Sequence, residues 1–88
     1  METDVDVKKD VKPTGLYSIY DSVAQAFSPP FTSDGEPVAR RQYGMLVMDM
    51  PEHIRGDYML YKLGEFDYKS GGIQLYLEPL LIIKGDGK

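Results

Sequence analysis

The 88 residues, 42% hydrophobic and 27% charged, have the composition of one ordinary globular domain and fall outside the disordered class. The chain has no Cys, which excludes disulfides, thiolate metal sites and cysteine nucleophiles. A net charge of −4 offers phosphates no attractive overall field, so nucleic-acid binding would have to come from a local basic patch or from stacking on aromatic rings.

In chain order, Met1 to Pro13 is polar and without apolar periodicity, and is expected to be a flexible tail ahead of a single domain spanning 14–88. It alternates acids and lysines where a signal peptide would be apolar. No apolar run approaches the roughly 20 residues that cross a bilayer, so a cytoplasmic protein with no membrane partner is expected. Leu16-Tyr17-Ser18-Ile19-Tyr20 predicts a first strand, with Tyr17 and Ile19 on one face and Leu16 and Tyr20 on the other. Asp21 to Phe27 has no decisive period and is read as a broken continuation of that strand, a short turn being the alternative. Pro29-Pro30 forbids helix, and Phe27 and Phe31 are expected to fasten this loop to the core; a peptide-like docking site is the competing reading.

Ser33 and Glu36 have capping-box spacing, Pro37 suits a first turn, and Glu36 to about Met50 predicts a helix. Ala39, Tyr43, Leu46 and Met50 form its apolar stripe, and Pro51 stops it. Tyr58 to Leu63 is the next strand, with Met59, Tyr61 and Leu63 on one face. Gly64 marks a bulge or a close backbone approach, and Tyr68-Lys69-Ser70-Gly71-Gly72 marks a hairpin turn. In the returning arm, Ile73, Leu75 and Leu77 alternate with Gln74, Tyr76 and Glu78. Pro79 interrupts this arm, and Leu80 to Ile83 reads as a strand covered on both sides. Strand, helix, then several strands predict an α+β fold: a small antiparallel or mixed β-sheet with one helix packed on it.

Catalysis has little to work with. His53 is the only histidine, the carboxylates fall at turns, caps and exposed strand positions, and the glycines match no phosphate-cradling motif. The chain is therefore read as a binding protein and not an enzyme, with no cofactor and no metal. Seven Tyr and three Phe are many for this length; they can pack a core or offer stacking faces to bases. Arg40, Arg41, Arg55 and Lys62 form the available basic cluster, and Tyr20, Tyr58 and Tyr76 are the tyrosines expected on the sheet face away from the apolar rows. Together these seven are the candidate nucleic-acid-binding residues; a solvated helix face is the plainer explanation of Arg40 and Arg41.

The segments Leu16-Tyr17-Ser18-Ile19-Tyr20-Asp21, Phe27-Ser28-Pro29-Pro30-Phe31-Thr32-Ser33 and Tyr61-Lys62-Leu63-Gly64-Glu65-Phe66-Asp67, followed by the glycine turn, come in an order that resembles a known family. It is the small nonstructural protein of gokushovirus-type microviruses, icosahedral phages with single-stranded DNA genomes. The resemblance runs from about Leu16 to Gly85, and Met1 to Pro13 extends beyond the usual family start. It implies a protein of the host bacterial cytoplasm, absent from the mature virion, that acts in viral DNA replication or in the switch to single-stranded genome packaging. It carries over no catalytic residue. Two partner classes follow: single-stranded DNA, bound by a homo-oligomer that multiplies weak contacts, or a phage or host replication or assembly protein met by an acidic adaptor.

Overall fold

The computed structural model describes residues 14–85; the expected tail, residues 1–13, lies outside the described residues. The element order is β1 (Thr14–Asp21), β2 (Ala26–Phe27), β3 (Phe31–Ser33), α1 (Glu36–Met48), α2 (Glu52–Arg55), β4 (Tyr58–Asp67) and β5 (Gly72–Ile83). All pairings are antiparallel. β1 is flanked along one side by β4, whose far side carries β5; its other side is shared by β2 at one end and β3 at the other. The α+β expectation is met, with the sheet wholly antiparallel.

Side chains of residues directly opposite in a ladder share a face, so the register divides the sheet. Tyr17, Ile19, Leu60 and Lys62 lie on the face that α1 covers, where Tyr17, Ile19 and Leu60 join Ala39 and Tyr43 in the buried core. Thr14, Leu16, Ser18 and Tyr20 point the other way, opposite Phe66, Gly64, Tyr61 and Met59. Ile73, Leu75 and Leu81 of β5 continue that second face across β4.

Several local readings change. Asp21 to Phe27 is a tight reversal and not a broken strand. The Asp21 Oδ1 accepts the Val23 and Ala24 amides at 3.0 and 3.2 Å, and Gln25 takes φ +57°, so the chain turns at once into β2. The capping box does not form either: Gly35 is the N-cap, and the buried Ser33 hydroxyl has no hydrogen-bond partner among the described residues. Since that hydroxyl is desolvated without compensation, Ser33→Ala is expected to leave stability unchanged or raise it by about 1 kcal/mol, where loss of a working cap would cost about that much. Urea denaturation decides the sign.

Helix α1 ends at Met48, two residues before the expected stop, because Pro51 lacks an amide proton and disfavours helical geometry just ahead of it. Its covered stripe is Ala39, Tyr43 and Val47; Leu46 is exposed. A spacing of four keeps those three on one line, whereas Leu46 falls a step around the helix. The Tyr43 hydroxyl donates to the Tyr58 carbonyl at 2.7 Å, tying helix to sheet.

The expectation that Leu80 to Ile83 is covered on both sides also fails. β5 is an edge strand: Leu80 and Leu81 are exposed, and only Ile82 and Ile83 pack partly on the core. Pairing with β4 shifts between Lys62↔Leu80 and Gly64↔Leu75, so that Tyr76 to Pro79 face Leu63 alone. Proline cannot donate to a ladder and is found at edges and irregularities of this kind. Gly64 sits at that shift, buried and pressed against the backbone of Gln74 and Leu75, which confirms the close approach expected there.

Candidate functional site

The face that α1 leaves uncovered carries a cluster of three rings. Tyr20 and Phe27 are opposite each other across β1 and β2, with centroids 4.7 Å apart. Tyr61 meets both edge-on, at 6.0 Å from Tyr20 and 5.4 Å from Phe27. Tyr20 and Tyr61 are half-buried and Phe27 is exposed. The cluster is held by the loop that follows β2: the Ser28 hydroxyl accepts the Ile19 amide at 3.0 Å, and the Ser18 hydroxyl donates to the Ser28 carbonyl at 2.7 Å. Phe27 is thereby fixed on one face, while Phe31, further along the proline loop, stacks on Tyr17 on the other at 6.1 Å.

The seven residues singled out from sequence do not share one surface. Tyr20 belongs to the open face. Tyr58 lies on the helix-covered face and packs against the core, where the Asp21 charge raises its pKa. Lys62 is also on that side, 5.9 Å from the ring centroids of both Tyr17 and Tyr76 and 3.6 Å from the Glu65 carboxylate. Burial pulls its pKa down, but the Tyr76 hydroxyl, then Tyr17 and Glu65, outweigh burial and hold it above the ordinary lysine value. Its ammonium therefore stays charged at neutral pH with its charge already answered. The Tyr76 hydroxyl lies 3.4 Å from the same Glu65 carboxylate.

Arg40 is paired with Glu36 at 2.8 Å and also donates to the Ile82 carbonyl at 3.3 Å. Arg55 donates to the Met50 and Met48 carbonyls at 3.0 and 3.2 Å, satisfying the exposed end of α1. Arg41 is exposed and makes no hydrogen bond or ion pair among the described residues. The predicted basic cluster is thus mostly spent on holding the fold, and the aromatic cluster stands apart from it.

Sequence reasoning missed Phe27 and Tyr61 as partners of Tyr20. Tyr61 had been assigned to the face of Met59 and Leu63, and Phe27 to loop packing. The alternation that could have united them was visible, but the register that sets Tyr20 beside Phe27 was not.

A second feature borders the cluster. An apolar groove of about 610 Å³ runs between α1 and the β1–β3 edge, lined by Ile19, Phe27, Phe31, Tyr43, Leu46 and Tyr58. His53, the only histidine of the chain, is exposed on α2. Among the described residues no helix is long and apolar enough to cross a membrane.

Fold and site together define a small α+β sheet protein whose long helix α1 covers one sheet face and leaves an aromatic, apolar face open. The chain belongs to the family described as Phage ORF5 protein, which it matches over residues 14–87, and it is a phage protein. No curated protein and no solved structure matches it.

Proposed function

We propose that this protein is a nonstructural microvirus protein that binds single-stranded DNA during viral replication or the switch to genome packaging, with the open aromatic face as its platform. It works in the host cytoplasm, stays out of the mature virion and has no catalytic step of its own. The observation that carries the reading is the Tyr20–Phe27–Tyr61 cluster, three adjoining rings on the sheet face opposite α1, which no element among the described residues covers. Bases of any sequence stack on such rings, each worth about 1–3 kcal/mol. Duplex DNA keeps its base faces hidden and gains nothing from them.

The placement of charge shapes the expected binding. No Lys or Arg occurs among the register-assigned residues of the open face, and Arg41 is the exposed arginine that makes no hydrogen bond or ion pair among the described residues. With about one phosphate neutralised, affinity falls only roughly threefold between 50 and 200 mM salt. Fluorescence anisotropy of a labelled single-stranded oligonucleotide at both salt concentrations, with duplex as control, measures this. Single-strand preference with a shallow salt slope supports the proposal; no binding at tens of micromolar sinks it.

The competing reading, an adaptor for a phage or host replication or assembly protein, draws on the apolar groove beside the proline loop. It takes the lead if the oligonucleotide fails to bind.

A further inference from the structure

β5 is a 12-residue edge strand whose outer side pairs with no other strand among the described residues, and its exposed residues are those a solvated edge normally avoids. Ile73 is 58% exposed, Leu75 64% and Leu77 completely, with Leu80 and Leu81 also open to solvent. Edge strands are ordinarily blunted by lysines, by short length or by a covering helix. Between Gly72 and Ile83 the sole charged residue is Glu78, the strand is the longest in the sheet, and α1 covers the opposite face of the neighbouring strands. The interior is correspondingly thin: the buried hydrophobic core among the described residues is Tyr17, Ile19, Ala39, Tyr43 and Leu60.

We infer that a second copy of this chain covers β5, the two copies related by a two-fold axis and packing their Ile73, Leu75 and Leu77 rows against each other. A charged partner would find almost nothing to recognise on this strand. Two antiparallel copies of an apolar edge, by contrast, are self-complementary, which is the condition for a closed isologous pair. Leu80 lies opposite Lys62 on the helix-covered face, so the row comprises Ile73, Leu75, Leu77 and Leu81, whose exposed fractions amount to about 320 Å² per copy, at roughly 120 Å² for a whole aliphatic side chain. That is about 40% of the ~800 Å² per partner that stable interfaces bury, and the main-chain edge with Gln74 and Glu78 supplies the polar rim. A domain with so small a core also gains the burial that short chains generally need from association.

This inference is independent of nucleic-acid binding and is read without DNA, so either can fail alone. The test is sedimentation equilibrium of the full chain from 2 to 200 µM, comparing the parent with Leu77→Glu, Leu75→Glu and, on the exposed side of α1, Met45→Glu. The parent is expected at twice the 9.9 kDa chain mass. Leu77→Glu, which touches no core residue because Leu77 is fully exposed, is expected to weaken self-association at least about 100-fold while the circular dichroism spectrum is unchanged. Leu75→Glu should do the same and Met45→Glu should not. A monomeric parent at 200 µM overturns the inference. So does a parent that grows beyond two copies, a Leu77→Glu variant that stays dimeric, or a Met45→Glu variant that dissociates equally.

Discussion

Gly64→Ala is expected to lower the thermal midpoint by roughly 4–24 °C, while Gly44→Ala, in the same chain, raises it. A Cβ built on Gly64 would collide with the Gln74 carbonyl oxygen and lie 2.8 Å from the Leu75 Cα. Both obstacles are backbone, so no side chain can rotate out of the way, and the relief has to come from parting β4 and β5 where their pairing shifts. Overpacking of this kind costs about 1–3 kcal/mol and sometimes more. For a domain of this size each kcal/mol moves the midpoint by about 4–8 °C. A Cβ on Gly44 meets nothing within 4 Å, so alanine there collects its helix-propensity gain of up to about 1 kcal/mol. Calorimetry on both variants reads the two signs, and a Gly64→Ala protein as stable as its parent would mean that β4 and β5 do not approach as described.

Removing rings from the open face is the second large effect. Tyr20→Ala and Phe27→Ala are each expected to weaken single-stranded oligonucleotide binding by roughly 5- to 150-fold, the equivalent of 1–3 kcal/mol of stacking per ring. The two rings touch at 4.7 Å, so the double variant should lose less than the product of the single losses. Arg41→Ala, by contrast, removes one phosphate contact and should act mainly by flattening the salt slope by about 0.7. Phe27 is exposed and its substitution disturbs no core residue; Tyr20 is half-buried, so its variant is checked by circular dichroism first. Equal affinities for the parent and both ring variants would remove the aromatic cluster from the proposed interface, whatever the protein binds.

Much of the architecture was legible because it depends on local chemistry. Pro29-Pro30, Pro51 and the Gly71-Gly72 turn interrupt the chain where they must. Gly71 adopts φ +79°, and Asp67 closes the turn by accepting the Gly71 amide at its carbonyl, at 2.7 Å, and the Lys69 amide at its side chain, at 2.9 Å. The α1 start at Glu36 and the hairpin arms were readable for the same reason. Ser33 shows where local spacing misleads: Gly35 intervenes as the N-cap, and Ser33 is consumed as the last residue of β3, paired with Gly15. Arg55 shows the same limit for charge. It looked like one member of a phosphate-binding patch, and the fold turned it onto two open carbonyls that the sequence does not reveal.

By itself, then, the sequence determined β1, α1, the β4–β5 hairpin with its glycine turn, and which residues along the regular parts of those strands share a face, since these follow from backbone sterics and a period of two; β2, β3, α2 and the reversal at Asp21 were not legible. Tyr20 with Leu16, Met59 with Tyr61, and Ile73 with Leu75 were separable from their neighbours on that ground alone. Tertiary structure decided which of the two faces the helix would cover. It chose the face of Tyr17, Ile19, Leu60 and Tyr58. That choice left the Met59–Tyr61 face and the Ile73–Leu75 row in the open, although both read as core rows along the chain. Both faces of this sheet are apolar, one helix can cover only one of them, and the pairing register that brings Tyr20, Phe27 and Tyr61 together depends on contacts far apart in sequence.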